Sequence, residues 1–380
     1  MRSKEIFFMP LGGAERVGAS CYYLRLGNSN VLLDCGAQAN KTSLIIPDFK
    51  ALLTSQYMDS FSQLEHVYIS HAHNDHIGYL PELMQLAPRA AYYMTPLTKQ
   101  LSEYRLQLRQ KSRLLAGADV ERLLAGCAEV SYLQTLEHKD YRVTFYPAGH
   151  IPGAMMTLLE YQGRRILYTG DYSLHSRLGT CWLPPDNMQI DVLLLCGLHA
   201  MQPGYHRKEN ALDSRVQQIL RCLSYGQSVY MQVMDDSRVI EVLLALNTAM
   251  RSDDQSYPVC LETEAMQAVE ALERLQLPIL ESNNYSRLSA QALRPHVVLG
   301  RRQKEQVPWD YQLFDSNYTL HEDYTEMKQF IKRINPRQAY IVHYQSSNYS
   351  WGQTIEQELM YDADCRTQVT FAKTGQGYII

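Results

Sequence analysis

The stretch Ser70-His71-Ala72-His73-Asn74-Asp75-His76-Ile77-Gly78 places three histidines and an aspartate within six residues. Imidazole nitrogens and carboxylate oxygens are the donors that suit borderline divalent ions such as zinc. The segment follows a short apolar run and ends on a turn glycine, so a reversing chain can aim all four side chains into one pocket. Two other segments have the same style. Tyr146-Pro147-Ala148-Gly149-His150-Ile151-Pro152-Gly153-Ala154 sets His150 between glycines after a strand, and Tyr168-Thr169-Gly170-Asp171-Tyr172-Ser173 sets Asp171 after another. Alone, a strand-end aspartate is more often a turn former. Together with the histidine cluster, the two read as parts of one site. Two metals held a few ångströms apart by such ligands can generate hydroxide at neutral pH and stabilise both oxygens of a displacement.

The elements that must position these donors are legible from alternation and apolar spacing. Residues 5–10, 20–26 and 30–34 are predicted strands, the last two joined by the turn Gly27-Asn28-Ser29. Val67-Tyr68-Ile69-Ser70 is a short strand of buried type. From 96 to about 128 the pattern is helical, with Leu97, Leu101, Tyr104 and Leu108 at spacings of 4, 3 and 4. Strands return at 142–146, 156–161, 166–168 and 192–195. Past residue 200 the character changes. Leu212, Val216, Ile219, Leu220 and Leu223 mark an amphipathic helix. Strands near 228–233, 259–261 and 296–299 then alternate with helices near 238–246 and 263–275. That alternation predicts a small α/β unit with a partly parallel sheet. A helix over 322–334 and the apolar strand Ala339–Val342, which ends on His343, close the series.

Length and composition limit what this chain can be. At 380 residues it suits two or three domains, and 46% hydrophobic with 20% charged residues fits a folded, soluble protein. No run approaches the ~18 apolar residues of a membrane span, and Ile6-Phe7-Phe8 is too short for a secretory signal. A net charge of −4 excludes a strongly basic nucleic-acid coat while permitting a nuclease with a local basic cleft. Eight cysteines without a Cys-x-x-Cys pair predict reduced thiols and a cytoplasmic location.

The set His-x-His-x-Asp-His at 71–76, Gly-His-x-x-Gly-Ala at 149–154 and Thr-Gly-Asp-Tyr-Ser at 169–173 resembles the metallo-β-lactamase fold. The opening Pro10-Leu11-Gly12-Gly13-Ala14-Glu15-Arg16-Val17-Gly18-Ala19-Ser20-Cys21 and the segment Leu32-Leu33-Asp34-Cys35-Gly36 resemble its RNA-processing branch, the β-CASP nucleases. The resemblance implies an αββα sandwich over 1–200 and 321–380, with a reduced β-CASP-like α/β cap inserted over 201–320. It implies His71, His73 and His150 on one zinc, Asp75, His76 and His343 on a second, and Asp171 bridging them. Mn2+ is also compatible with that set. Asp34 is then expected behind the ligands, fixing histidine orientation. His321, in Thr319-Leu320-His321-Glu322-Asp323-Tyr324, matches the histidine beside the scissile phosphate, with Asp75 orienting the nucleophile and His321 assisting the leaving oxygen.

Two departures from the family pattern stand out. Where β-CASP members carry an acidic residue followed by Ser/Thr-Thr-Tyr-Gly, this chain reads Cys196-Gly197-Leu198-His199-Ala200. In the cap, Arg238 and Glu241 fit the Gly-Arg-x-x-Glu helix start with Ser237 in place of glycine, while the Ser-Gly-Met and Gly-Tyr-Gln segments are missing. The function expected is a dinuclear zinc phosphodiesterase acting on RNA or single-stranded DNA, with endo- and exonucleolytic action both open. Two alternatives are a hydrolase of a small ester, lactam or phosphodiester and a catalytically weak RNA-binding or scaffolding subunit. A homo-oligomer or a partner subunit completing the short cap is compatible with either. Arg105, Arg109, Lys111 and Arg113, and the run Arg301-Arg302 with Lys304, are candidate phosphate contacts, although a solvated face is the commoner meaning of such runs. His66, His138, His175, His199, His206 and His296 lack ligand-like neighbours and are expected to be structural.

Overall fold

The computed structural model describes residues 5–39, 44–111, 119–203, 212–233, 236–274, 285–289, 291–315, 318–319, 321–346, 355–362 and 364–380. The chain divides into two compact units, Met1–His206 with His321–Ile380, and Arg207–Leu320.

In the first unit, two seven-stranded sheets carry the structure. One runs in the order Tyr378–Ile379, Ile6–Gly12, Cys21–Leu26, Ser29–Leu33, His66–Tyr68, Ala91–Met94 and Ala128–Glu129. The other runs Gln368–Phe371, Gln338–Val342, Val192–Cys196, Arg164–Tyr168, Met155–Tyr161, Arg142–Pro147 and Thr135–Glu137. Alternate side chains of both sheets meet in one core that includes Ile6, Phe8, Tyr22, Leu24, Tyr68, Phe145, Tyr168, Leu194 and Tyr340. Every residue of Ile6–Gly12 is buried, so the face opposite that core is covered as well. Phe7 on that outer face stacks on Tyr57 with ring centroids 3.7 Å apart. This is the expected α/β sandwich.

Strand direction decides where chemistry can sit. Ser29–Leu33, His66–Tyr68 and Ala91–Met94 are parallel neighbours in one sheet, and Arg164–Tyr168, Val192–Cys196 and Gln338–Val342 are parallel in the other. Within each group all carboxyl ends point the same way. Loops leaving such ends converge into a crevice that side chains from several strands can line.

Some elements differ from the sequence reading. Within the helical stretch expected from 96 to 128 the structure describes the helices Pro96–Lys111 and Val120–Ala125 and then the strand Ala128–Glu129, residues 112–118 lying outside the described residues. Asp119 starts the second helix by accepting the Arg122 backbone N–H, a capping signal outweighed by apolar spacing in the longer window. The helix Leu80–Leu86 and the strand Ala91–Met94 are short and lack a clean period, so apolar spacing does not mark them.

The second unit is a five-stranded sheet in the order Ser286–Arg287, Val259–Leu261, Val297–Gly300, Ser228–Gln232 and Tyr311–Phe314. All its pairings are parallel. The helices Leu212–Ser224, Asp236–Ser252 and Thr263–Glu273 accompany it. Leu212, Val216, Ile219, Leu220 and Leu223 form the buried face of the first of these, at the spacing read from sequence. Arg238 donates to the Tyr318 carbonyl and stacks over the Tyr318 ring at 4.7 Å, and Glu241 is buried.

Candidate metal centre

After His66–Tyr68 the chain runs extended through Ser70 and then forms the single turn Asn74–Ile77, with His73 at its start and Asp75 and His76 inside it. Backbone hooks hold that turn. Ser20 N–H donates to the Asp75 carbonyl at 2.8 Å, and Cys35 N–H donates to the His76 carbonyl at 2.9 Å. Gly36 is required here, because a Cβ on it would lie 1.7 Å from the Asp75 carbonyl oxygen. Gly149, in the left-handed region at φ +76°, lets the chain turn into His150, and a Cβ there would meet the Ser173 carbonyl oxygen at 2.4 Å. His343 itself adopts φ 55°. Its N–H donates to Gly13 O at 2.7 Å and its Nδ1 lies 3.1 Å from Ser20 Oγ, so the Gly12–Cys21 opening is the brace that holds this strained residue in place.

These loops bring the donors together in two groups, with Asp171 in the first and also close to His76 of the second. His71, His73, His150 and Asp171 offer one ligand atom each, all within 4.8 Å of one another. His73 Nδ1 is 3.0 Å from His71 Nε2 and 3.1 Å from His150 Nε2. Asp171 Oδ2 is 3.7 Å from His71 Nε2 and 3.6 Å from His150 Nε2. Bonds of ~2.0–2.1 Å to one tetrahedral ion put ligand atoms about 3.4 Å apart, so these edges bracket the required value. Asp75, His76 and His343 form the second group. Asp75 Oδ2 is 3.9 Å from His76 Nε2 and 3.7 Å from His343 Nε2, while Asp171 Oδ1 is 3.4 Å from His76 Nε2. The carboxylate of Asp171 thus turns Oδ2 toward His71 and His150 and Oδ1 toward His76, while His343 Nε2 lies 4.0 Å from Oδ2. His76 Nε2 is a fully buried nitrogen with no hydrogen-bond partner, which a cation at this position would engage in place of a proton. The donor set fits divalent metal on both counts.

Asp34 lies directly behind. Fully buried, it accepts from Ser70 N–H and Oγ–H at 2.7 Å each, from Tyr168 O–H at 2.5 Å and from His76 Nδ1–H at 2.8 Å. The last bond commits Nδ1 to donation and directs Nε2 into the centre. Protonation follows the same geometry. Burial pushes His71 well below the usual histidine range, whereas for His76 burial is outweighed by Asp171, Asp34 and Asp75, which raise it. Asp171 is held well below the carboxylate range, its burial being overcome by His343, His76 and His321.

His321 stands at the mouth. Its Nε2 is 3.8 Å from Asp171 Oδ2, and its side chain is 18% exposed where those of His71, His150 and His343 are 0–2%. Glu322 anchors the approach by accepting the Leu174 N–H at 2.8 Å, and Asp323 caps the helix Tyr324–Ile334 with a reciprocal Glu326 bond. Cys196, at the end of its strand, places Sγ 2.8 Å from Asp171 Oδ1. Sequence shows only the absence of the family's acidic residue there; the fold brings the thiol to Asp171.

Two other expectations change. Arg105 is no surface cation, because it is buried and donates to the Ala72 carbonyl at 2.9 Å, which braces the ligand loop from below. The side chains of Arg109 and Lys111, and residues 113 and 206, lie outside the described residues. His175 has ligand-type neighbours after all, with Nε2 3.2 Å from Glu326 Oε1 and 3.9 Å from Glu322 Oε2. Neither glutamate is close to it in sequence, which is why spacing could not reveal the group. His66 and His138 pack ring on ring at 3.9 Å beside Tyr141, as structural histidines do. In the second unit, Arg302 is committed to Glu262 at 2.5 Å.

Comparison with known proteins points one way. The family model described as Metallo-beta-lactamase superfamily matches residues 14–211. "Endoribonuclease ysh-1" of Neurospora crassa is 27% identical over 332 residues, covering 83% of this chain and 38% of the relative. "Cleavage and polyadenylation specificity factor 73" of Drosophila melanogaster is 30% identical over 253 residues, covering 63% of this chain and 35% of the relative. The chain therefore spans little more than a third of the length of these relatives. Among solved structures, a protein of unknown function from Enterococcus faecalis V583 superimposes with a TM-score of 0.66 at 12% identity, covering 99% of this chain and 100% of that one. That match speaks for the fold alone.

Proposed function

We propose that this chain, which belongs to the metallo-beta-lactamase superfamily, is a two-zinc hydrolase that cleaves phosphodiester bonds in RNA. The observation that carries the reading is the split of Asp171, with Oδ2 3.6–3.7 Å from His71 and His150 and Oδ1 3.4 Å from His76. One carboxylate shared by two histidine groups is the arrangement that holds two cations side by side. Bound there, a metal pair supplies Lewis-acid charge for the scissile phosphate and makes water a nucleophile at neutral pH. The RNA assignment is supported by the endoribonuclease names of the relatives, which also favour internal cleavage over exonucleolytic trimming.

The chain's own residues divide the remaining work. Asp75, 22% exposed, has its carboxylate at the open side of the second group, where it can accept a proton from attacking water and orient it. His321 can donate to the departing oxygen once a substrate phosphate stands against it; burial keeps the ring neutral until then. The buried ligands exclude bulk water from the floor of the site. Unit Arg207–Leu320 is read as a reduced β-CASP cap, and a partner subunit that completes the grip on RNA is in keeping with a relative named as a "subunit". Eight unpaired cysteines support a reducing cytoplasmic setting.

The test is incubation with labelled RNA carrying 5′-phosphate or 5′-hydroxyl ends, with and without chelator, for the native chain and Asp75→Ala. Chelator-sensitive cleavage that falls about a hundredfold or more in the variant is expected. Absence of metal-dependent cleavage of either RNA or single-stranded DNA would refute the nuclease reading and leave the small-substrate hydrolase and the RNA-binding subunit as the alternatives.

A further inference from the structure

We propose that Cys196 supplies a sulfur donor to the second metal position, making it a mixed nitrogen, oxygen and sulfur site. The inference rests on the two-metal reading above and adds to it a ligand that the motif pattern does not contain. Cys196 is 5% exposed and closes the strand Val192–Cys196 between the strands that lead to Asp171 and to His343. Its register is fixed on both sides. Cys196 N–H donates to Thr169 Oγ1 at 3.1 Å, and Gly197 N–H donates to the Val342 carbonyl at 2.8 Å. Sγ therefore projects from the same sheet edge as the two ligand loops.

Sγ, a carboxylate oxygen of Asp171 and a ring nitrogen of His343 lie within 4.8 Å of one another, all buried. A zinc ion with a ~2.3 Å bond to sulfur and ~2.0 Å bonds to nitrogen or oxygen holds such atoms about 3.5 Å apart, so one cation can touch all three after side-chain shifts on the order of an ångström. The sulfur sits 2.8 Å from Asp171 Oδ1, the oxygen that faces His76 Nε2 at 3.4 Å. A separate feature points to the same ion: that His76 nitrogen is fully buried with no hydrogen-bond partner. In the metal-free chain the thiol donates its S–H to Asp171. On metal binding that proton passes to solvent, and the thiolate turns from the carboxylate to the cation. A thiolate selects zinc, cobalt or cadmium over manganese or magnesium, so the sulfur tunes which metal the second position keeps.

Cobalt substitution of the full chain tests this without reference to catalysis. Co2+ loaded to two ions per chain should give a near-ultraviolet sulfur-to-cobalt charge-transfer band. Cys196→Ser and Cys196→Asp should lose the band while still binding cobalt. The preference of the second ion for cadmium over manganese should fall about tenfold or more in both variants. Having two variants guards against a folding defect in one. Two bound cobalt ions without the band would overturn the proposal while leaving the two-metal reading intact. A band that survives in both variants would assign it to the partly exposed Cys181 or Cys222 and would overturn it equally. No cobalt uptake at all would remove both this proposal and the reading beneath it.

Discussion

Replacing Asp34 by asparagine isolates how far the metal centre depends on a carboxylate that does not itself face the ion. The side chain is fully buried and takes four donors, with Ser70 N–H on Oδ1, and Ser70 Oγ–H, Tyr168 O–H and His76 Nδ1–H on Oδ2. Asparagine is the right probe because Asp34 sits at φ 61°, a left-handed conformation that asparagine tolerates and alanine does not. In its better orientation the amide keeps its oxygen toward the three donors and turns NH2 against Ser70 N–H, a donor facing a donor. Bonds to a charged acceptor contribute ~1.5–3 kcal/mol and neutral ones ~0.5–1.5, so three weakened bonds cost about 3 kcal/mol in all. The stranded Ser70 N–H adds ~1–3 kcal/mol of lost solvation. Non-additivity within one network holds the sum to about 3–5 kcal/mol, a large part of a typical domain's stability. Released from Nδ1, the His76 ring no longer presents Nε2 in a fixed direction, and affinity for the second ion should fall about 10–100-fold. The first ion should be affected less, since its link to Asp34 runs only through Ser70 Oγ, 3.0 Å from His71 Nδ1. Denaturant unfolding of the metal-free protein and competition with a chromophoric chelator measure the two effects. A variant as stable as the parent, with both ions bound as tightly, would show that Asp34 is only a packing residue.

Three shorter predictions follow from the same geometry. Gly36→Ala should displace the Asn74–Ile77 turn, because its Cβ would overlap the Asp75 carbonyl; metal content read by elemental analysis should drop at the second site first. His71→Ala and His343→Ala should each leave one ion per chain instead of two, and the double variant none; equal metal content in all three would argue against separate sites. Acid stability offers an independent check away from the metals. Burial, and then the neighbouring His138, pushes His66 down to about 4 from 6.5. Below pH 6.5 the unfolded chain takes up a proton that the folded one refuses down to about pH 4. The stability His66 contributes is therefore fully present above 6.5 and is lost as pH falls across that window. Discounted for partial exposure, the loss between pH 7 and 5 is about 1 kcal/mol, and His66→Gln should remove it from the pH slope in denaturant titrations.

Much of the chemistry was readable from the linear chain, for a physical reason. The three histidines and one aspartate at 71–76, and His150 and Asp171 beside glycines, are donors placed where a backbone must turn, and a turn at a strand end is a local property. The amphipathic helix from Leu212 and the apolar strands of the sandwich core were readable on the same ground, since burial repeats with the period of the element. Three-dimensional proximity was not. Nothing local says that Asp171 turns Oδ2 toward His71 and His150 and Oδ1 toward His76. Nor does spacing reveal that Arg105 is buried beneath the ligand loop or that His175 meets Glu322 and Glu326. The Cys196 thiol reaches the shared aspartate only because strands ending at 168, 196 and 342 lie parallel with their carboxyl ends together. Composition and spacing select the donors; which donors share an ion depends on strand order and direction, which bring together residues far apart along the chain.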